Sequence, residues 1–441
     1  MFYVDFLNPF VLIFLIGTVV SFIINHVLEF LDYKSRVKNG GKIPEVLQDI
    51  PLASETFDSK KLADICSYEN AKYFLWIPSS ICNFLLTMAL ILFGFYPKIM
   101  SLIISVTGFP STIGSGFLCF FLFMIISSLP SDILSVPFEL YKEFVLEKKF
   151  GFSKMTLKLW ISDQIKNLVM SLILSALLTI AASVFFIKFP ESWWLILAII
   201  LMAFTFLMQI IYPKFIAPLF NKFEPLPEGE LKDKISAILE KTGFKNDGLF
   251  VMDASKRSGH SNAYFSGFGK AKRIVLYDTL INSMASDELA SVLGHELGHF
   301  KLKHIAKRLL MLIPLDFLVL FALYKLAQLP LLYEGFGFRY LQEQISSVQF
   351  LGLFLAIIIW GSISEIFSPI SNMSSRKHEF QADRFAAEVC GTGEHLITGL
   401  IKLNSENLSE LFPPKIYVFW NFSHPTLVER VKALKDLEKR S

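Results

Sequence analysis

The sequence predicts a mainly α, multispanning membrane protein with about seven transmembrane helices and a small β-sheet in a soluble insert, on three observations. Hydrophobic residues make up 53% of the 441-residue chain and charged residues only 18%, too apolar for an ordinary soluble enzyme. The apolar residues gather in runs long enough to cross hydrocarbon. Between the fifth and sixth runs lies a long, more polar segment whose short β-type runs are bounded by Gly, Asp and Ser.

The spans fall at roughly 9–31, 73–96, 113–137, 167–188, 192–212, 308–327 and 348–372. The first reads as an uncleaved span: Asp5 replaces the basic start of a signal peptide, and no small-x-small site closes the run. The sixth contains Asp316, so a buried or re-entrant helix is its alternative. Orientation follows from Lys and Arg in the loops. Lys34, Arg36, Lys38, Lys42, Lys60 and Lys61 follow the first span, and Lys142, Lys148, Lys149, Lys154 and Lys158 follow the third. The alternate loops offer only Lys98, Lys188 and Arg339. This puts the N-terminus outside and the C-terminus in the cytoplasm. The expected division is a bundle of five spans (1–212), a cytoplasmic insert (213–306), spans six and seven (307–373) and a C-terminal cytoplasmic part (374–441).

A net charge of +3 gives no reason to expect a nucleic-acid partner, and the basic loops read as topology and lipid-headgroup contacts. Cys66, Cys82, Cys119 and Cys390 are scattered without C-x-x-C spacing, so neither a disulfide framework nor a cysteine zinc site is indicated and they read as packing residues.

The chemistry concentrates in His295-Glu296-Leu297-Gly298-His299, an H-E-x-x-H motif that chance supplies in about one chain of this length in a hundred. Ser286 is the expected N-cap, Asp287 and Glu288 suit the positive end of the dipole, and Leu289, Val292 and Leu293 form an apolar stripe. Imidazoles at i and i+4 share one face of a helix and can share one tetrahedral zinc, with Glu296 beside its open position. Upstream, Gly229 to Thr242 reads as a helix, and Gly248 to Met252, Ser261 to Phe265 and Arg273 to Tyr277 as three short strands.

Two histidines leave zinc in need of a third protein ligand. Glu379, on a helix expected over Ser374 to Gly391, is the candidate. Asp383, one turn on, is placed to orient His295 through its other ring nitrogen. A solvated acidic face is the alternative for this pair, and only the upstream motif weighs against it. His378 and His304 lie off the ligand register and are expected to be surface or structural residues.

These residues resemble the type I CaaX prenyl proteases, multispanning gluzincin metallopeptidases that process prenylated proteins. The resemblance is carried by Phe144-Val145-Leu146-Glu147-Lys148-Lys149-Phe150-Gly151-Phe152, by Ser258-Gly259-His260-Ser261-Asn262-Ala263-Tyr264-Phe265, by the H-E-x-x-H helix, by Glu379-Phe380-Gln381-Ala382-Asp383, and by Ser423-His424-Pro425-Thr426 with Arg430. It implies a gluzincin-like domain with zinc on His295, His299 and Glu379, and Glu296 as general base. It also implies His424 and Arg430 as donors to the oxyanion of the attacked carbonyl. Asn262 and Ala263 become the edge on which an extended peptide pairs; from the strand alone, exposed residues without that role are as good a reading. Seven helices around a water-filled chamber are implied as well. His26, Asn83, Asp132, Asp316 and Glu365, in or at the ends of spans, suit that chamber or interhelical pairing.

The expected activity is zinc-dependent endoproteolysis at a membrane, with one Zn2+ per chain, directed at prenylated CaaX C termini. The expected partners are a peptide or protein substrate and the bilayer, with the chain a monomer. A quality-control protease and a lipid- or peptide-binding protein with structural zinc are the alternatives. The host membrane is either a bacterial inner membrane or the endoplasmic reticulum membrane, with the site toward the cytoplasm.

Overall fold

The structure is a computed structural model and describes residues 3–244, 248–266 and 273–439. Six of its helices are long and apolar enough to span: Pro9–Asn39, Ser59–Leu92, Ile113–Lys149, Leu157–Lys188, His304–Ala327 and Gln349–Cys390. The expected fifth span is a broken one, bent by 44° between Trp193–Gln209 and Tyr212–Leu219. Pro213 lies at the break, where a ring in place of an N–H removes a helical hydrogen bond. The sixth run, with Asp316, is a full-length helix and not a re-entrant one.

Several helices outrun their apolar stretches. The second begins at Ser59, where Asp58 Oδ1 accepts from Lys61 N at 2.7 Å. Its 34 residues extend for about 51 Å, well beyond the roughly 30 Å of hydrocarbon. The fourth begins at Leu157 under the cap of Thr156. Hydropathy marks only the part of such helices inside the bilayer.

Counting the broken span, each span packs on the next in sequence, and the seventh closes on the first. The result is a ring. Across the 18-residue apolar windows of spans two, three, four and six only 11% of residues are buried, whereas a solid bundle would bury one side of each helix. Span two shows why. One stripe of it carries Lys72, Trp76, Ser79 and Asn83, which line a cavity of about 370 Å³ with Ser135 and Glu139 of span three. Another carries exposed Phe74, Ile81 and Leu85. A wall that is polar on one face and apolar on the other separates water from lipid.

The end of the ring near the N-terminus of span one is plugged. Phe14, Trp193, Tyr333, Phe336, Phe338 and Phe350 are almost fully buried there, and Asn8 Nδ2 donates to Leu331 O at 2.8 Å. At the opposite end a second core forms around Ile274, Leu276, Leu293, Leu297, Ile401 and Val431. It carries a four-stranded sheet in the order β1-β2-β4-β3: Phe223–Pro225, Leu249–Met252, Arg273–Tyr277 and Ala263–Ser266. The three expected strands are present within two residues of their expected ends, and β1 adds a short antiparallel strand on β2. Among the described residues β3 pairs antiparallel with β4 alone and so forms one edge of the sheet.

Candidate metal centre

The H-E-x-x-H motif lies on the helix Ser286–Lys301. Its N-cap is Ala285, one residue before the expected Ser286, and the Glu288 carboxylate accepts from Ala285 N at 2.8 Å. Glu379 lies on the helix Ser368–Cys390, which starts six residues before the expected Ser374 and ends, as expected, at Gly391 with φ +82°. Small residues let these two helices approach. A Cβ on Gly298 would lie 3.0 Å from Ala382 Cα, and one on Gly294 3.5 Å from Ala386 Cβ.

That approach brings three donors together. His295 Nε2 lies 3.2 Å from His299 Nε2 and 3.3 Å from Glu379 Oε2, and His299 Nε2 lies 3.2 Å from Glu379 Oε1. Ligands about 2.0–2.1 Å from a tetrahedral ion stand about 3.3 Å from one another, so the triangle has the size a metal needs. Glu379 is 4% exposed and its Oε2 is buried without a hydrogen bond. A buried carboxylate with one oxygen beside each of two imidazole nitrogens, and Oε2 left without a hydrogen bond, is costly unless a cation occupies the space between them.

The surrounding contacts fix which ring nitrogens face that space. His295 Nδ1 donates to Asp383 Oδ1 at 2.7 Å, the pairing expected from the sequence. His299 Nδ1 donates to His304 Nδ1 at 3.0 Å, and His304 Nε2 donates to Gln381 Oε1 at 2.9 Å. Both ligand histidines therefore keep an Nε2 lone pair. His304 is buried and holds the His299 ring in place, and the His378 ring stacks on it at 4.2 Å.

Glu296 is on the same helix, and burial pushes its carboxyl above the ordinary value while the neighbouring imidazoles pull it back. His424 is open, its side chain 66% exposed, with Nε2 3.6 Å from Glu379 Oε1. Arg430 is not open: Nε donates to Asp383 Oδ2 at 2.8 Å and Nη2 to Oδ1 at 2.5 Å, a two-pronged clamp. Asn262 is exposed at the head of β3, with its Oδ1 accepting from Ala263 N at 2.8 Å, and Ala263 is buried.

The comparisons with known proteins agree with this architecture. Residues 32–222 match the family described as CAAX prenyl protease N-terminal, five membrane helices, and residues 225–438 match peptidase family M48. The CAAX prenyl protease 1 of Saccharomyces cerevisiae is 34% identical over 425 residues, which is 92% of this chain and 91% of that protein. The chain belongs to peptidase family M48. A CAAX prenyl protease 1 homolog of Dictyostelium discoideum is 36% identical over 93% of this chain and 94% of its own length. The crystal structure of S. mikatae Ste24p superposes with a TM-score of 0.85 at 32% identity, covering 97% of this chain and 99% of that one.

As an M48 enzyme the chain is a membrane metallopeptidase, and the donor triangle can hold the metal that the family requires. Two contacts around the triangle lie beyond what spacing along the chain shows. His304, expected to be a surface or structural residue, is a buried structural one: Lys303 at φ +58° turns the chain and returns the His304 ring to His299. Gln381 gave no sign, because its partner belongs to another helix.

Proposed function

We propose that the chain is a zinc endopeptidase that removes C-terminal peptides from prenylated CaaX substrates at the cytoplasmic face of a membrane. The observation that carries the metal assignment is the triangle of two Nε2 atoms and one carboxylate at 3.2–3.3 Å, a donor set suited to zinc with one position left open. The CaaX substrate rests on the printed names of the relatives, and the side of the membrane on the basic loops after spans one and three. Those named relatives are eukaryotic, which favours the endoplasmic reticulum over a bacterial inner membrane.

Zinc on His295, His299 and Glu379 would supply a Lewis acid that polarises the attacking water and the scissile carbonyl. Glu296 takes the proton from that water and returns it to the leaving nitrogen. His424, exposed beside the ligand triangle, donates to the oxyanion. Asp383 fixes His295 with Nε2 inward, and Arg430 holds Asp383 while keeping positive charge beside the developing negative charge. Asn262 and Ala263, at the free edge of the sheet, receive the extended peptide by backbone pairing.

Glu296→Gln is expected to retain the metal and to lose cleavage of a farnesylated CaaX peptide by about 10²- to 10⁴-fold. Metal content and turnover measured on the same preparation check it; activity retained in the metal-loaded variant overturns the role of Glu296. Comparing one peptide with and without its farnesyl group tests the substrate class. Equal cleavage of both would favour a quality-control protease.

A further inference from the structure

The segment Arg257–Ser261, which leads into β3, is held almost entirely by parts of the chain outside the sheet. Arg257 Nε donates to Asp163 Oδ2 of span four at 3.0 Å, and Lys154 N donates to Arg257 O at 3.2 Å. Ser258 bridges to Ser153, and Gly259 N donates to Phe152 O at 2.6 Å. The Gly259 contact leaves little room for a side chain, since a Cβ there would lie 3.3 Å from Gly151 O. His260 stacks on Phe152 with centroids 4.0 Å apart and an interplanar angle of 14°.

Two polar residues complete the hold. Asn407 Oδ1 accepts from His260 Nδ1 and from Ser261 N, both at 3.1 Å, and Asn407 Nδ2 donates to Ser261 O at 3.3 Å. Glu147, 7% exposed at the end of span three, has its Oε2 3.4 Å from His260 Nε2 and accepts from Tyr68 of span two at 3.0 Å. The loop that follows Asn407 is tied to span one, where Arg36 Nη1 donates to Glu410 and Ser35 Oγ to Phe412 O at 2.8 Å. None of these groups reaches the donor triangle, and none has a part in the proton transfers described above.

We propose that Glu147 and Asn407 are positioning residues that, through His260 and Ser261, set where the free edge of β3 lies relative to the metal centre. Asn262 and Ala263 follow Ser261 directly, so an error at Asn407 passes into the register at which a peptide pairs. This inference rests on the reading that the edge of β3 receives the substrate. The consequence is a cost in peptide binding with little cost in the chemical step.

The test uses the full-length protein in detergent. Asn407→Ala and Glu147→Gln are expected to raise KM for a farnesylated peptide by about five- to tenfold, the equivalent of about one lost hydrogen bond, with kcat and metal content within about twofold. Asn407→Asp keeps the acceptor for His260 and Ser261 N but sets a second oxygen against Ser261 O, and should recover only part of the KM. Inhibition by acetohydroxamate, which needs the metal and not the strand, should be unchanged. Backbone hydrogen exchange over Ser261–Phe265 should quicken in Asn407→Ala, and this readout needs no turnover. A fall in kcat with KM unchanged, or exchange and KM both at the wild-type level, overturns the proposal. If Asn407→Ala cannot be purified, the KM of Glu147→Gln decides. If the wild type cleaves no peptide, the proposed function falls, and the exchange measurement alone decides the positioning role.

Discussion

At the candidate metal centre His295 and His299 each have the second ring nitrogen committed, but by different means. His295 is held by a carboxylate that is itself clamped by a guanidinium, whereas His299 is held through a neutral relay of His304 and Gln381. The charged arm is the stronger, because a carboxylate partner raises the basicity of the ligand nitrogen as well as orienting it. Asp383→Asn is therefore expected to weaken metal binding by about 10- to 100-fold, checked by competition with a chelator. An affinity equal to wild type would show that the clamp is dispensable. The Asp383 contact was legible in the sequence because it follows Glu379 by one turn on the same face. The Arg430 clamp was not, since a single Arg 47 residues downstream carries no sign of which acid it meets.

At the scale of elements, the site depends on how closely two helices pass. Gly294 and Gly298 stand against Ala386 and Ala382, and this spacing lets the Glu379 carboxylate reach both imidazoles. Gly298→Ala would favour the helix in isolation, yet its Cβ would press on Ala382 Cα at 3.0 Å and Ala382 O at 3.1 Å. Neither backbone atom can give way as a side-chain end would. The expected result is a loss of about 1–3 kcal/mol in stability with reduced metal retention, measured by chemical unfolding and by metal content after dialysis against chelator. Unchanged values for both would mean that the helices slide apart without consequence. The sequence made the helices and strands legible through their periodicity. It did not reveal β1, which is only three residues long, or the polar turns by which spans two and four stand out from the membrane.

At the scale of the molecule, seven spans pack in sequence order into a ring, and the cavity between spans two and three has a polar stripe on the side of span two opposite Phe74, Ile81 and Leu85. Asn83 and Leu85 are two positions apart on span two, both exposed and about 200° apart around the helix. In a chain cleared of its four native cysteines, Asn83→Cys is expected to react with a membrane-impermeant thiol reagent and Leu85→Cys to remain unlabelled in the bilayer. The opposite pattern would turn the ring inside out. Composition and hydropathy made the number of spans legible, but the ring itself depends on which helix meets which, a property of tertiary contact.

The aromatic plug around Phe14, Trp193 and Phe350 bears on the membrane as well as on the enzyme. A wet barrel open at both ends would be a pore, and a cell would lose its ion gradients through every copy. With tightly packed rings sealing one end, this ring of spans is no such passage. The same seal makes it a blind alley for peptides. A fragment cut at the candidate metal centre would leave on the side of the H-E-x-x-H helix or sideways between spans, so each turnover would clear the way by which its substrate came.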